Sequence, residues 1–483
     1  MTKANSTRIV KASLWMTVSF AVGKVAQLIS QVILARLLSP KDFGIWAMVL
    51  ILTNFSVLFR DVAIAQVLVH RGLDNKSLVN TVYSLGVNIS IGLFVLQALA
   101  GWPLSQFFRE PALFLLVACS AIVFLIGAGA GSHTAVMQRQ MKFKELAICD
   151  GFANFARVGS ATFCAFFGWG VWSFAVGEVA MALMDSLLKR SFSGYRFAYS
   201  FKLDPVAVHE VRKFIAGILG GNVAVQINTN ADNLTIGRLV GTQALGYYNL
   251  AYQLAMMPVY ALSQVNRVIF SVLSQQDNEG KKVYLCRALE LYAVISAPIY
   301  GVVLVIAPWI IPLLYGRAWV EAVSLFQIIL ICAYARGFMA ILGTTLTALN
   351  KPLTNAVINW VLVPISIASY FLGATLGGTQ GVAIAVALVM GVGASVWFWL
   401  ATCRAAGWKL ELLIKPILLP TVTMSIALML IFTIPFPEHL RAYMQPVILV
   451  LLYAVALSIF SKGRIPNMLM GMLKLSLNKG GNK

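Results

Sequence analysis

Leu34 to Gly44 reads LARLLSPKDFG and runs into IWAMVL, and Ile236 to Gly246 reads IGRLVGTQALG and runs into YYNLAY. In both stretches an apolar run ends, an Arg follows (Arg36, Arg238), and a Gly stands eight residues further on (Gly44, Gly246) before the next apolar run opens. A helix–corner–helix unit written twice in a very hydrophobic chain points to a membrane protein assembled from two related halves. The copies close the first and the seventh apolar span. An even number of crossings returns the chain to the same side, so the halves are predicted to run parallel rather than inverted. A weaker echo agrees: Thr134-Ala135-Val136 leaves the fourth span as Thr347-Ala348-Leu349 leaves the tenth.

Composition sets the class. Of 483 residues, 59% are hydrophobic and 11% charged, and the mean hydropathy is +0.82. A hydrocarbon interior admits only helices or closed barrels, and apolar runs of about 20 residues without a period of two are helices. The reading is an all-α polytopic membrane protein with about 14 spans, roughly 14–34, 45–69, 79–101, 112–132, 148–168, 171–188, 214–237, 247–270, 287–311, 322–349, 355–376, 380–401, 418–435 and 445–461. The expected organisation is an N-terminal lobe over 1–190, a basic linker over 191–213, a C-terminal lobe over 214–401, two appended spans over 418–461 and a basic tail over 462–483. The first apolar run follows Lys3, Arg8 and Lys11 but lacks a small-residue cleavage pattern, so it reads as an uncleaved anchor.

The net charge of +20 is a topology signal. With a cytoplasmic N-terminus, roughly 26 of the 37 Lys and Arg fall on the cytoplasmic side. The opposite loops hold Arg36, Lys41, Arg109, Arg238, Arg317 and Arg441. That asymmetry is the positive-inside rule; it puts both termini in the cytoplasm and makes membrane lipid headgroups, not nucleic acid, the contacts of the basic segments. The six cysteines show no C-x-x-C pair and read as reduced apolar fillers, and the four histidines have no metal spacing. No phosphate-binding G-x-x-x-x-G-K-[ST] loop exists, so energy must come from an ion gradient, a partner or the substrate's own gradient. Loops of at most roughly 25 residues leave no room for an external catalytic domain, so no enzyme is expected.

Four cations stand near the middle of spans: Lys24, Arg60, Arg157 and Arg336. On insertion scales a charge at the bilayer centre costs about 2.5–3.5 kcal/mol, so four facing lipid would cost roughly 10–14 kcal/mol. They are expected either to line an aqueous, anion-attracting cavity or to pair with Asp61, Glu178 or Asp150. Asp61 directly follows Arg60, and consecutive helical side chains diverge by about 100°, which makes those two poor partners for each other. In the seventh span Asn222, Gln226, Asn230 and Asn233 recur at spacings that share one helical face, with Asn228 and Asp232 on the neighbouring strip. Interhelical hydrogen bonding is one reading of this face. The other is that the amides bond sugar hydroxyls while Asp232 exchanges a cation. Gly127, Gly129 and Gly131 read as close-packing residues of the fourth span. Tyr247, Tyr248 and Tyr252 fit either an interfacial belt or stacking on sugar rings.

LARLLSPKDFG, FRDVAIAQVLVHR (Phe59 to Arg71), DNLTIGRLVGTQALGYYNLAYQLAMMP (Asp232 to Pro258) and LLYGRAWVEAVSLFQIIL (Leu313 to Leu330) resemble the Wzx-type polysaccharide flippases, closest to the colanic-acid-exporter-like branch of the multidrug/oligosaccharidyl-lipid/polysaccharide exporter superfamily. The resemblance covers about residues 8 to 400. It implies 14 helices, six in each of two pseudo-symmetric lobes plus two at the C-terminal end, in the bacterial inner membrane. It also implies an undecaprenyl-pyrophosphate-linked oligosaccharide moved to the periplasmic leaflet by alternating access, with a proton or sodium gradient in place of a cofactor. A polymerase and a chain-length regulator of the same pathway are the implied partners. Lys24, Arg60, Arg157 and Arg336, with Asn222, Gln226 and Asn230, become the substrate-binding candidates; Asp61, Asp232 and Glu178 become the ion-coupling candidates. A cation-coupled antiporter of the same superfamily is the alternative, and a membrane polymerase or glycosyltransferase the remote one.

Overall fold

The computed structural model describes residues 22–71 and 73–465; the side chains of 61–67, 69–71, 210, 213–219, 261–265, 267–268 and 438–439 lie outside that description, as do the start of the first predicted span and most of the basic tail. Among the described residues the chain is α-helical with short turns and no strand. The helices are α1 (22–37), α2 (Pro40–Arg71), α3 (Lys76–Phe108), α4 (Ala112–Ile126), α5 (Ala130–Arg139), α6 (Phe143–Phe166), α7 (Trp172–Ser193) and α8 (Pro205–Asn228). They continue as α9 (Ala231–Leu239), α10 (Thr242–Gln275), α11 (Asn278–Tyr315), α12 (Glu321–Ala348), α13 (Pro352–Val386), α14 (Ala394–Ala406), α15 (Leu410–Thr433) and α16 (Glu438–Phe460).

Seven of the described helical stretches are long and apolar enough to cross a membrane, or eight if the pair α4–α5, bent by 43°, is one span. The chain is a multi-pass membrane protein. The other predicted spans fall on α1 and on the more polar helices. The helices α6 and α7 carry Asp150, Arg157, Glu178 and Asp185 at mid-length, and α8 and α10 carry amides. Spans predicted at 355–376 and 380–401 belong to one stretch, Pro352–Ala406, kinked at Gly377 and Gly378.

Two compact units form. The first comprises Met1–Leu250, Leu314–Glu321 and Asn359–Val382; the second comprises Ala251–Leu313, Ala322–Ile358 and Ala383–Lys483. This partition differs from the sequence lobes, because α8, α9 and the start of α10 sit with α1–α7. The segment predicted as a linker helps to hold them there. Residues 194–204 are extended along a polar face of α3: Ala198 N donates to Asn80 Oδ1 (3.3 Å), Ser200 N to Ser84 Oγ (2.8 Å) and Asp204 N to Thr81 Oγ1 (3.2 Å). Phe197 stacks on Tyr83 with ring centroids 4.8 Å apart and planes 5° from parallel.

The duplicated corners meet inside the first unit. In the first copy Ser39 caps α2: its amide and hydroxyl both donate to Asp42 Oδ2 (2.9 and 2.6 Å), with Pro40 at the opening position where its missing N–H costs nothing. In the second copy Gly241, at φ +122°, turns the chain from α9 into α10. The two following glycines then lie against each other's helix. A Cβ on Gly44 would stand 1.7 Å from the Thr242 carbonyl oxygen, and one on Gly246 would stand 1.9 Å from the Pro40 carbonyl oxygen. Neighbouring contacts cross between sequence halves. Arg36 Nε donates to the Leu314 carbonyl (2.8 Å), Trp319 Nε1 to the Ala35 carbonyl (3.0 Å), and the Arg238 guanidinium lies 5.5 Å from the Phe107 ring centre. Trp319 and Tyr248 are fully buried there.

The second unit has its own core, in which Val294 and Ala297 of α11 pack with Met424 and Ala427 of α15 and Leu449 and Tyr453 of α16. Glu290 pairs with Arg464 just past α16.

Gly44→Ala and Gly246→Ala should each destabilise the folded protein by about 1–3 kcal/mol or more, since the added methyl overlaps backbone that cannot rotate away. Gly159→Ala, whose Cβ meets nothing within 4 Å, should leave stability unchanged or raise it slightly. Thermal unfolding of the detergent-purified protein reads the difference; identical melting of all three variants would contradict the close approach.

Candidate functional site

The first unit holds a partly open cavity of about 470 Å³. The helix α2 contributes Thr53 and Arg60, α3 contributes Ser90, and α7 presents Glu178, Asp185 and Lys189. Residues seven and four apart fall on one helical side, so these three α7 groups form a single stripe along the wall. The opposite wall is the α4–α5 junction, where Gly127–Ser132 leaves mostly bare backbone against the space.

At that junction two of the three glycines meet neighbouring helices closely, Gly127 beside Arg60 of α2 and Gly129 beside Tyr83 of α3. Gly129 takes φ +79°, and a Cβ there would stand 2.5 Å from the Tyr83 ring, so only glycine fits the turn. Gly131 faces open space. The break frees backbone carbonyls, and Arg190 Nη2 satisfies the one at Ala128 (2.9 Å).

Two of the cations around the cavity are paired with carboxylates. Arg157 Nη1 lies 3.4 Å from Glu178 Oε1. Lys189 Nζ sits between Asp185 Oδ1 (2.7 Å) and Asp150 Oδ1 (3.4 Å). The Arg60 guanidinium is 5.6 Å from the centre of the Phe124 ring, a cation–π contact. Lys24 Nζ donates to Gln27 Oε1 (3.0 Å), and Lys24 lies close enough to Arg157 for their charges to repel. Of the sequence candidates, the cavity therefore gathers Arg60 and Glu178 on its wall, with Arg157 behind Glu178. Arg336 is in the second unit, where it hydrogen-bonds the Tyr252 hydroxyl. The side chain of Asp61 lies outside the described residues.

The amide face of the seventh span is rearranged. The predicted continuous helix breaks at Thr229–Asn230, where Asn230 has φ −127° and opens α9. Asn230 Nδ2 turns back to the Gln226 carbonyl (2.8 Å), and buried Asn228 donates to the Asn359 carbonyl (2.8 Å). Asn222 is exposed and Gln226 half-buried. Asp232 is buried, and its carboxylate accepts from the Tyr248 hydroxyl (2.6 Å) and the Asn233 amide (2.7 Å). Tyr248 is thus neither an interfacial belt residue nor a platform for sugar, and Asp232 is a strut of the corner.

Sequence reasoning missed Asp185, Lys189 and Ser132. The signal for the first two was present as the acid–acid–base stripe of α7. Ser132 carried none, because a serine in a membrane helix ordinarily bonds its own backbone. Here its hydroxyl is buried without a hydrogen-bond partner. Among the described residues no group of three metal-ligating side chains converges.

A model of the polysaccharide biosynthesis protein family matches residues 33–324. The lipopolysaccharide biosynthesis protein WzxC of Escherichia coli (strain K12) is 23% identical over 395 residues, covering 79% of this chain and 78% of that protein. The teichuronic acid biosynthesis protein TuaB of Bacillus subtilis (strain 168) is 23% identical over 347 residues, covering 71% and 72%. Among solved structures, the lipid II flippase MurJ in an inward closed conformation superposes with a TM-score of 0.74 at 16% identity, covering 94% of this chain and 100% of that one. This similarity extends the helical fold over nearly the whole chain.

Lys189→Met should destabilise the first unit by about 2 kcal/mol, less than the 3–5 kcal/mol of a fully buried pair because Asp150 and Asp185 retain some solvent. Adding Asp185→Asn should restore part of the loss by removing the orphaned charge. A double variant melting no higher than Lys189→Met would show that the pair is not the source of the effect.

Proposed function

Because the chain belongs to the polysaccharide biosynthesis protein family, we propose that it is a flippase: it carries undecaprenyl-pyrophosphate-linked oligosaccharide from the cytoplasmic to the periplasmic leaflet of the bacterial inner membrane by alternating access. The observation that carries this reading is the cavity of charged and hydroxyl side chains within a unit built from hydrophobic helices. Charged and hydroxyl groups are tolerated in such a place only around water or a polar cargo. A pyrophosphate bearing a glycan cannot cross hydrocarbon unaided, and fixed guanidinium groups on a wet path would lower the barrier. The lipid tail need not leave the bilayer.

In this reading the protein is a transporter and not an enzyme. A proton or sodium gradient supplies the driving force, with Glu178 the coupling residue whose hold on Arg157 changes as it gains or loses charge. Asp232, the other described acid offered for coupling, is bonded to Tyr248 in the corner and lies away from the residues that line the cavity. The pathway partners are a polymerase and a chain-length regulator, and the basic cytoplasmic segments meet anionic lipid.

Cells lacking the chain should accumulate lipid-linked oligosaccharide in the cytoplasmic leaflet, as read by protease- or lectin-type sidedness assays on spheroplasts. Arg60→Gln should reproduce that accumulation with at least a tenfold loss of periplasmic glycan while the protein remains inserted at wild-type level. Normal glycan sidedness in the deletion strain would overturn the flippase reading.

A further inference from the structure

The strap that joins α7 to α8 reads YRFAYSF from Tyr195 to Phe201, with an aromatic ring at every second position. A period of two belongs to extended chain with two faces, and residues 194–204 are not helical. The row divides in the middle. Tyr195 and Phe197 are half-buried and turn inward: Phe197 meets Tyr83 of α3 and His133 of α5, its ring centroid 4.8 Å from each, and Tyr195 lies 4.6 Å from Phe197. Tyr199 and Phe201 turn outward and meet edge to face at 5.0 Å. Tyr199 is 42% exposed and Phe201 91%, the most exposed large apolar side chain among the described residues. Exposure of this kind is ordinary on a helix that meets lipid, but Phe201 is on no helix.

The depth of the outward pair is set by α3. At about 1.5 Å per residue its 33 residues measure about 50 Å, against about 30 Å for a hydrocarbon core. The polar part is at its start, where Asn80, Thr81, Ser84 and Asn88 each bond the strap. The exposed apolar face opens just beyond, at Ile91, and continues through Val95 and Leu99. The Tyr199 hydroxyl donates to Asn88 Oδ1 (2.7 Å), the member of the polar row nearest that face. Tyr199 and Phe201 therefore stand within about one helical turn of the lipid-facing surface, at the headgroup level where amphipathic rings are favoured.

Charge completes the pattern. Asp204 is turned to the start of α8, where its carboxylate accepts from the Val206 amide (2.9 Å). The remaining charged residues of the strap, Arg196 and Lys202, are both cations, both exposed, and flank the aromatic pair in sequence. A soluble acidic partner would answer the cations alone. An anionic headgroup layer answers both halves: its phosphates meet the guanidinium and ammonium, and its glycerol and upper acyl carbons receive the rings.

We propose that Tyr199 and Phe201, flanked by Arg196 and Lys202, are a docking surface for anionic phospholipid on the side that the charge asymmetry makes cytoplasmic, and that this contact pins the α7–α8 connection to the bilayer. The inference rests on the placement of the basic segments against anionic lipid in the flippase reading, and not on the cargo.

The test puts the photoreactive p-benzoylphenylalanine in place of Phe201 in the full chain, in nanodiscs of equal parts phosphatidylcholine and phosphatidylglycerol, and reads the adduct by mass spectrometry after irradiation. The same replacement at Phe432, an exposed ring on α15, is the comparison. Position 201 should capture lipid with phosphatidylglycerol favoured about fivefold, and position 432 should show no headgroup preference. Arg196→Gln combined with Lys202→Gln should remove the preference at 201 with an unchanged melting temperature. Wild-type chain supplies a second measurement: amide hydrogen exchange over 195–203 should be several-fold slower in the mixed discs than in phosphatidylcholine alone. No lipid adduct at 201, equal capture of the two lipids, a preference that survives loss of both cations, or exchange indifferent to headgroup would each overturn the docking surface. Irradiation in cells that yields a protein adduct at 201 and no lipid adduct would overturn it as well, and assign the surface to a protein partner. Normal glycan sidedness in the deletion strain would remove the flippase reading and leave the docking surface to the lipid adduct.

Discussion

The first unit depends on two backbones touching where no side chain intervenes. Gly44 and Gly246 stand at the same place in the two copies of the duplicated corner, and each lies against the carbonyl that opens the other's helix. Everything nearby follows from that approach. The helices α2 and α10 start so close together that Tyr248 is sealed from solvent, and Trp319, arriving from a distant part of the chain, closes the remaining space against Phe43 at 4.9 Å between ring centres. Each corner arginine reaches into the other sequence half, Arg36 to the Leu314 carbonyl and Arg238 to the Phe107 ring. A duplication that had merely been inherited would not need its glycines to face each other. The reciprocal contact explains why both copies keep Gly at that position while the residues between Arg and Gly have diverged.

A second constraint acts on charge. A membrane helix that carries ionisable groups at mid-length must turn them away from lipid, and α6 and α7 do so by packing along each other and exchanging partners. These are also helices that fall short of simple membrane-crossing criteria. Their polarity and the cavity are one fact seen from two sides. Matched pairs at partly exposed sites contribute little stability by themselves, so the arrangement is better understood as the cost of keeping a polar space than as a means of holding the fold.

How much was legible in the sequence depended on how local the signal was. The class, the helical character and the duplicated corner were read from periodicity, apolar run length and a repeated Arg–Gly spacing, all of which act over a few turns. The rule that mid-span charges avoid lipid offered Arg60 either a cavity or an acidic partner and named Glu178 only as one such acid, so it could not bring the two to one wall. What failed was inference across a helix break. Asn222, Gln226, Asn230 and Asn233 make one face only if the helix is continuous, and Asn230 instead turns its amide back to cap the preceding turn. Asp232 was read by its charge as a cation-exchange candidate, and its bond from a tyrosine sixteen residues away is visible only after α9 and α10 fold on each other. Of Gly127, Gly129 and Gly131, read as packing residues, the first two do lie close to a neighbouring helix and Gly131 does not, while the positive φ of Gly129 is not written in its neighbours.

Those breaks bear on whether the cavity is wet. Irregular backbone at membrane depth is tolerated only when it is buried in protein or borders water, since lipid offers no hydrogen bonds. The α8–α9 break is of the first kind: Asn230 and Thr229 side chains return to the carbonyls of Gln226 and Val225, and the freed groups are satisfied locally. The α4–α5 break is of the second kind. Arg190 satisfies the Ala128 carbonyl, but the Gly127–Ser132 stretch lies on the cavity wall with Gly131 unobstructed and the Ser132 hydroxyl unmatched. A dry void would leave the charged groups on that wall unsolvated, whereas water in the cavity removes this cost. The broken helix and the paired charges of α6 and α7 therefore both bring polar groups to the wall of this cavity in the first unit.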